Sequence, residues 1–303
     1  MNTKTKNEQL VSTLSNISEV VEGRSPWADA RRRFMKNKAA VASLVILILI
    51  ALTIIIGPHL LQHTHDATDW NALSLAPTME NGHYLGTDEL GRDLLARTLQ
   101  GGGITFQVGI VGTLVSVIIG VSWGAIAGFF GGKVDALMMR IVDVLYALPF
   151  MLFAILLMTF FGRDLYLMFV ALGAISWLDM ARIVRGQTLS LKSKEFVEAA
   201  HAIGVSQFSI IFRHIVPNLL GIVVVYATIT IPGVIMTESV LSFLGLGVQE
   251  PNTSWGVLVQ EGQKVMESQP WMLLVPGIFL SVTLYCANYV GDGLRDALDP
   301  KDR

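Results

Sequence analysis

The sequence predicts an all-α polytopic membrane protein with six transmembrane helices and no attached soluble domain. Only 15% of its 303 residues are charged and 52% are hydrophobic, whereas a soluble domain carries about 25% charged residues. The mean hydropathy is +0.55, and the apolar residues form runs of about 20, the length that a membrane-spanning helix needs. The formal charge of −2 gives no reason to expect a nucleic acid partner. A single cysteine, Cys286, excludes an internal disulfide.

The apolar runs predict helices at about 39–58, 103–130, 137–161, 165–181, 217–240 and 271–290. The fourth run is short, and taken alone it also fits a re-entrant segment. Because Lys and Arg accumulate in cytoplasmic loops, their distribution tests the crossing. With six spans and both termini in the cytoplasm, most of the 22 Lys and Arg residues lie inside, and those outside are Arg92, Arg97, Arg163 and Lys264. The bias therefore favours a full fourth crossing.

Residues 1–38 form a predicted cytoplasmic tail, and residues 39–303 form the membrane domain. Ser25 as N-cap and Pro26 as the first helical residue predict a helix start in the tail. Basic residues then interleave with Phe34 and Met35, a pattern typical of a helix on the inner membrane surface. The alternative is that these basic residues only anchor the first span in its orientation, with the charged tail in the cytoplasm. The first span follows a long charged tail, so it is not a cleavable signal peptide.

The sequence carries no pattern of catalytic chemistry. It contains no P-loop, no His-Glu-x-x-His pair and no Gly-x-Ser-x-Gly elbow. Asp143 and Asp179 fall near inner ends of the predicted spans, and Glu238 falls at an outer end. An ion-driven secondary transporter often places an acidic residue at mid-membrane. Because these three acids fall near span ends, the sequence disfavours that class of protein. Few charges therefore lie at membrane depth.

Four of the six histidines lie in the longest external segment, about 59–102, and they could suggest a metal site. They are His59, His63, His65 and His83. Their spacing matches no standard set of metal ligands, and we expect solvated loop histidines instead. A second external segment spans about 245–270.

The second predicted span carries a small residue at every fourth position. The series is Gly112, Ser116, Gly120, Gly124, Gly128 and Gly132. Small residues at this spacing let two membrane helices approach backbone to backbone. The alternative is that glycine is simply frequent in membrane helices. Either way the series predicts helix packing rather than chemistry.

The longest predicted inner segment, 182–216, contains a short helix that could act as a handle. Good helix formers follow Ser193, a possible cap. Ala199 and Ala200 are small enough for a close fit in a groove, and Glu198 offers one charged contact. A cytoplasmic partner protein could push on such a helix. An ordinary amphipathic loop helix would show the same composition.

This segment resembles the EAA loop in the membrane subunits of ABC importers. The matching residues are Glu198, Ala199, Ala200, Gly204 and Pro217. His214 and Val216 replace an Ile and a Leu of the family pattern. In the family this helix docks into the ATPase subunit, and the resemblance therefore assigns ATPase coupling to Glu198, Ala199, Ala200, Gly204, His214 and Pro217.

The resemblance extends over nearly the whole chain, which is similar to the dipeptide, oligopeptide and nickel permease group. The motifs are Gly86-Thr87-Asp88 with Gly91-Arg92-Asp93, residues 238–247 with Pro251 and Ser254-Trp255-Gly256, and residues 291–300. The C-type subunits of Gram-negative oligopeptide importers are most similar, including Ala-Arg-Arg-Arg-Phe-Met before the first span. A dipeptide or nickel permease is the alternative within the group.

The resemblance implies the type I permease architecture in the inner membrane of a bacterium. It implies four kinds of partner: a second, related permease in a heterodimer, two cytoplasmic ATPases that bind ATP and Mg²⁺, a periplasmic peptide-binding protein, and the peptide itself. The chain itself would hold no cofactor and catalyse no reaction. We expect the external segments to receive the binding protein, with docking or outer-gate residues at Asp88, Arg92, Asp93, Glu238 and Trp255.

Overall fold

The computed structural model describes residues 26–161 and 164–298, and within these ranges the fold is helical without a β-strand. The helices are α1 (Pro26–Lys36), α2 (Lys38–Leu60), α3 (Leu94–Phe130), α4 (Gly132–Ala147), α5 (Phe150–Phe161), α6 (Leu165–Lys192), α7 (Glu195–Ala202), α8 (Gln207–Phe243), α9 (Trp255–Lys264) and α10 (Pro270–Leu298). Several features of the sequence analysis lie outside the described residues: Ser25 as N-cap, the tail before it, Arg163, and the end of the last motif at Asp299 and Pro300.

Five helices, α2, α3, α6, α8 and α10, are long and apolar enough to cross a membrane. The bent pair α4–α5 makes six if it counts as one span. At one end of the bundle α7 meets the last turn of α3, where His201 stacks on Phe129. At the other end α9 meets the first turn of α3, where Glu261 pairs with Arg97. We call these the α7 end and the α9 end.

The third predicted span is not one straight helix. Residues 137–161 were predicted as a single span, but α4 and α5 meet at an angle of 85°. Pro149 explains the break, because proline lacks an N–H and disfavours helical backbone in the residue before it. Leu148 is accordingly extended, with φ −75° and ψ 137°.

The helices on either side of α7 extend into the predicted inner segment 182–216, which is therefore largely helical. α6 continues past residue 181 to Lys192, and α8 begins at Gln207 rather than at 217. Charged residues do not end a helix when they find partners: Arg185 makes a bidentate pair with Asp135, at 2.5 and 2.6 Å. Asp179 therefore lies midway along α6 and not near its end.

The small-residue face of α3 packs closely against α6. A Cβ atom on Gly120 would lie 2.6 Å from Cβ of Met180, and one on Gly128 would lie 2.8 Å from the Arg185 carbonyl oxygen. Ser116 is fully buried, Gly112 and Gly124 are equally close to neighbouring atoms, and larger residues would force the helices apart.

Gly132 does not belong to that face. It is the first residue of α4, its φ is +54°, and nothing lies within 4 Å of a Cβ placed there. The fourfold spacing continues in the sequence, but α3 ends at Phe130 and the chain turns at Gly131. The predicted packing role of Gly132 is therefore wrong; its positive φ serves the turn.

Candidate functional site

α7 is a short helix held against the bundle along one face. Lys194 is its N-cap, and the Lys194 carbonyl accepts hydrogen bonds from the N–H groups of Val197 and Glu198 at 2.9 and 3.2 Å. Val197 and Ala200 are buried in a cluster that includes Phe129 of α3 and Ile211 of α8. The predicted contact residue Ala200 therefore supports α7 from beneath and is not available to a partner.

Gly204 ends α7 in a Schellman motif. Its φ is +79°, which favours glycine. The Gly204 N–H donates to the His201 carbonyl at 3.0 Å, and the Val205 N–H donates to the Ala200 carbonyl at 3.1 Å. These are the two bonds that define the motif. Gly204 therefore stops the helix sharply and turns the chain back toward α8.

The opposite face of α7 exposes apolar side chains. Phe196, Ala199 and Ile203 follow the i, i+3, i+7 spacing of one helix face, and Ile203 is 80% exposed. Phe208, at the start of α8, is 58% exposed. We define these four residues as the α7 patch; the exposed Glu198 adds the charge. Exposed apolar side chains grouped at one place favour an interaction surface.

The α7 patch is rigidly connected to the long helices. His201 stacks on Phe129 with ring centroids 5.7 Å apart and planes 15° apart. Phe208 contacts Phe130, the last residue of α3, at a centroid distance of 5.9 Å. Because packed interiors compress little, a displacement of α7 moves the ends of α3 and α8 with it.

The other two residues of the predicted coupling set lie in α8, not in α7. His214 belongs to a π-helical stretch, Ile211–Ile215, and the Val216 N–H donates to the Ile211 carbonyl. Pro217 comes next and has no N–H to donate, and the hydrogen-bond register of the helix changes just before it. The structure thus brings Glu198, Ala199, Ala200 and Gly204 together, whereas His214 and Pro217 shape the start of α8.

At the α9 end, a network of ion pairs joins three segments. Asp88 accepts hydrogen bonds from Arg92 Nε at 2.6 Å and Arg97 Nη1 at 2.7 Å. Arg97 also donates to Glu261 of α9 at 2.7 Å, and Arg92 donates to Glu250 at 2.8 Å. Burial alone would lower the pKa of Arg92, but its hydrogen bonds to Glu250 and Asp88 outweigh burial and raise that pKa. Arg92 therefore stays charged and ties Asp88 to Glu250, while Arg97 connects Asp88 to α9 through Glu261.

Buried hydrogen bonds hold the remaining residues predicted at this end. Asp93 caps α3 by accepting the Ala96 N–H at 2.7 Å. Glu238 accepts from Ser242 and Ser254 at 2.5 and 2.6 Å. Trp255 donates its ring N–H to the Thr98 carbonyl at 2.8 Å.

Four of the five residues predicted as docking or outer-gate residues are buried inside the chain. Asp88, Asp93, Glu238 and Trp255 are buried, and the Arg92 side chain is only 14% exposed. Their carboxylates and indole serve caps and cross-links inside the chain. Besides polar side chains, the segment exposes large hydrophobic ones that sequence reasoning missed: Trp70, Leu73, Met79, Tyr84 and Leu90.

Between the two ends, a cavity of about 1060 Å³ opens among α4, α5, α6 and α8. Its lining is mainly apolar, with hydroxyls from Ser176, Thr230 and Tyr226. Two charged residues, Asp179 and Arg182, also line it. Sequence reasoning did not single out this surface, because its residues come from distant parts of the chain.

Comparison with known families decides the class of protein. Residues 120–303, more than half of the chain, match the family described as binding-protein-dependent transport system inner membrane component. The chain belongs to this family of permeases. Residues 25–77 of the permease match a second model, described as the N-terminal TM domain of oligopeptide transport permease C.

Full-length relatives agree with the family. The permease is 57% identical over 300 residues to the oligopeptide transport system permease protein OppC of Haemophilus influenzae, covering 98% of this chain and 96% of that one. It is 60% identical over 293 residues to the protein of the same name in Escherichia coli, with 96% and 97% covered. The dipeptide transport system permease protein DppC of Bacillus subtilis is 45% identical over 276 residues, with 91% and 86% covered.

A solved structure supports the fold. A chain of the MetNI methionine ABC transporter in an inward-facing conformation aligns with a TM-score of 0.55 at 19% identity, covering 68% of the permease and 96% of that chain. The permease is thus a multi-pass membrane protein of the type I ABC permease fold. It is a transport component that works with other subunits, not an enzyme.

Proposed function

We propose that the permease is one of the two membrane subunits of an ATP-driven importer of oligopeptides, and that α7 is its coupling helix. The observation that carries the proposal is the α7 patch: an exposed apolar surface on a short, sharply ended helix that is packed against α3 and α8. An ATPase groove would cover the patch, and Glu198 at its edge would meet a basic group there.

In this mechanism the ATPases bind ATP and Mg²⁺, and the permease receives force. Closure of the ATPase pair would move α7, and the packed contacts to Phe129 and Ile211 would carry the movement into α3 and α8. Rigid-body movement of helices in both permeases would then open the pathway to alternate sides of the membrane. This assignment puts the α7 end and both chain termini in the cytoplasm, across a bacterial inner membrane.

The α9 end would receive the periplasmic binding protein. Apolar side chains are available for contact in the loop, notably Met79 at 86% and Trp70 at 73% exposure. The Asp88–Arg97–Glu261 pairs would hold this landing surface in a constant position relative to α9. Within these pairs Glu250 is the residue most open to a partner, since its side chain is 65% exposed.

Oligopeptides are the proposed cargo because OppC relatives are 57% and 60% identical over nearly the full length. A dipeptide cargo is the second candidate, supported by the 45% identity to a dipeptide permease.

Co-purification tests the proposal. A tagged permease, co-expressed with a related permease and the ATPases, should retain both ATPases in detergent. Ile203→Asp should lose the ATPases but keep the second permease, because a charge would be buried in the docking groove. The matched control, Met79→Asp, places the same charge at the α9 end and should keep the ATPases. Retention of the ATPases by Ile203→Asp would contradict the role of the α7 patch.

A further inference from the structure

Asp179 is a carboxylate at membrane depth whose charge the described part of the chain leaves uncompensated. It lies midway along α6 and is exposed into the cavity of about 1060 Å³. Taking Leu165, the first residue of α6, as the start of a hydrocarbon layer about 20 helical residues deep places Asp179 inside that layer. Ionisable residues at such depth face protein or a water-filled cavity and mark substrate pathways.

The neighbouring cation does not neutralise Asp179. Arg182, one turn away, donates to Asp143 at 2.9 Å, and its guanidinium lies 4.2 Å from the ring centroid of Tyr146. Across residues 26–161 and 164–298, no hydrogen bond or ion pair reaches the carboxylate of Asp179. The cavity thus carries one anion with no fixed partner.

The rest of the lining suits a peptide. Ser176 and Thr230 donate their hydroxyl protons to carbonyls of their own helices, so their oxygens can accept from peptide N–H groups. Tyr226 adds a third hydroxyl, and the remaining lining is mostly apolar. Pockets with a few convergent polar groups on apolar walls are typical ligand sites, and their usual volume, about 300–1,000 Å³, is close to that of this cavity. The one cation that every unmodified peptide carries, whatever its side chains, is its N-terminal ammonium.

We propose that Asp179 receives the N-terminal ammonium of the peptide as it passes along this cavity, an inference that rests on the importer function proposed above. Weak, transient binding of the ammonium would guide the amino end of the peptide along the cavity. This binding would not depend on the side chains of the peptide. The alternative occupant is a cation of the second permease, and the two are distinguished by whether the effect of Asp179 depends on the cargo.

The test uses the whole importer in proteoliposomes with one peptide in two forms, N-terminally free and N-acetylated. For each peptide form, the import rate of the variant is divided by the import rate of wild type. Any preference of the binding protein for one form cancels in this ratio. Asp179→Asn should reduce import of the free peptide by about tenfold, as expected for loss of a charge-assisted hydrogen bond, and leave the acetylated peptide within about twofold. Asp179→Glu should restore the free peptide. The control Asp164→Asn removes a carboxylate that caps the same helix and should leave the ratio unchanged.

A second measurement covers the case in which Asp179→Asn does not assemble or the acetylated peptide is not carried. Asp179→Cys should react with water-soluble methanethiosulfonates. An anionic adduct should retain import of the free peptide, and a cationic adduct should abolish it. Equal loss of both peptides, no loss of either, or a cysteine that does not react would overturn the proposal. If the wild-type importer carries no peptide, the proposed function fails instead.

Discussion

Substitution of Gly204 separates the geometry of α7 from its docking. Gly204 has φ +79°, and a Cβ placed there meets nothing within 4 Å. A side chain therefore causes no clash inside the permease, and its cost is the left-handed backbone, about 1–2 kcal/mol for an ordinary residue and less for Asn or Asp. Gly204→Ala, Gly204→Asn and Gly204→Asp should all fold and unfold at temperatures close to that of wild type.

The import rates of these variants should nevertheless differ. The carboxylate of Gly204→Asp would lie beside Ile203 in the α7 patch and at the negative end of the α7 dipole, where an anion costs about 0.3–1 kcal/mol. Burying it unpaired against an ATPase costs several kcal/mol more, about 3–5 by analogy with broken buried pairs. We expect import to fall more than about 100-fold, with loss of captured ATPase.

Gly204→Asn is the matched control, since it has the same shape without the charge. It should lose less than about tenfold, in line with its smaller backbone cost. Import in proteoliposomes and ATPase capture on the tagged permease are the assays. Equal loss in Gly204→Asn and Gly204→Asp would assign the defect to the backbone, and normal import by Gly204→Asp would refute the docking argument.

Three further pairs of substitutions test the packing. Arg97→Met leaves Glu261 without its cation and Asp88 with Arg92 alone, and should cost about 1–3 kcal/mol. Arg92→Met should cost less, because Asp88 keeps Arg97 and the other partner, Glu250, is exposed to water; thermal unfolding in detergent compares them. Gly124→Val should abolish folded protein, because its side chain overlaps α6, but Gly132→Ala should fold with only the cost of its positive φ; yield of monodisperse protein decides. Glu238→Gln keeps an acceptor for two serines and should lower stability less than Glu238→Leu. The leucine leaves both serine hydroxyls without an acceptor, at about 1–3 kcal/mol each; similar unfolding temperatures would contradict this.

Much of the helical architecture could be predicted, because uncharged runs long enough to cross a membrane depend on neighbouring residues alone. The extent of α6 could not, because Arg185 looks like a loop residue until Asp135 is seen to pair with it across 50 positions. The bend at Pro149 was also missed, since the apolar run continues through it and length was the criterion.

The candidate sites divide in the same way. The end of α7 at Gly204 is local, because a left-handed turn requires the residue type that the sequence shows. The burial of Asp88 and Glu238 is not local: it depends on Arg97 and Ser254, and on how α9 packs against α3. Acidic residues in a loop were therefore expected to meet solvent or a partner, although they act inside the chain.

The central claim is that α7 lies in the cytoplasm against the ATPases, and proximity measured by cross-linking tests it most directly. Cysteine is placed at Ile203 in the α7 patch, at the buried Val197 on the opposite face, and at Met79 at the α9 end; the native Cys286 is buried. A short bifunctional thiol reagent should join position 203 to an ATPase in the assembled importer and should not join 197 or 79. An ATPase cross-link at 79, or its absence at 203 in a complex that imports peptide, would contradict the account.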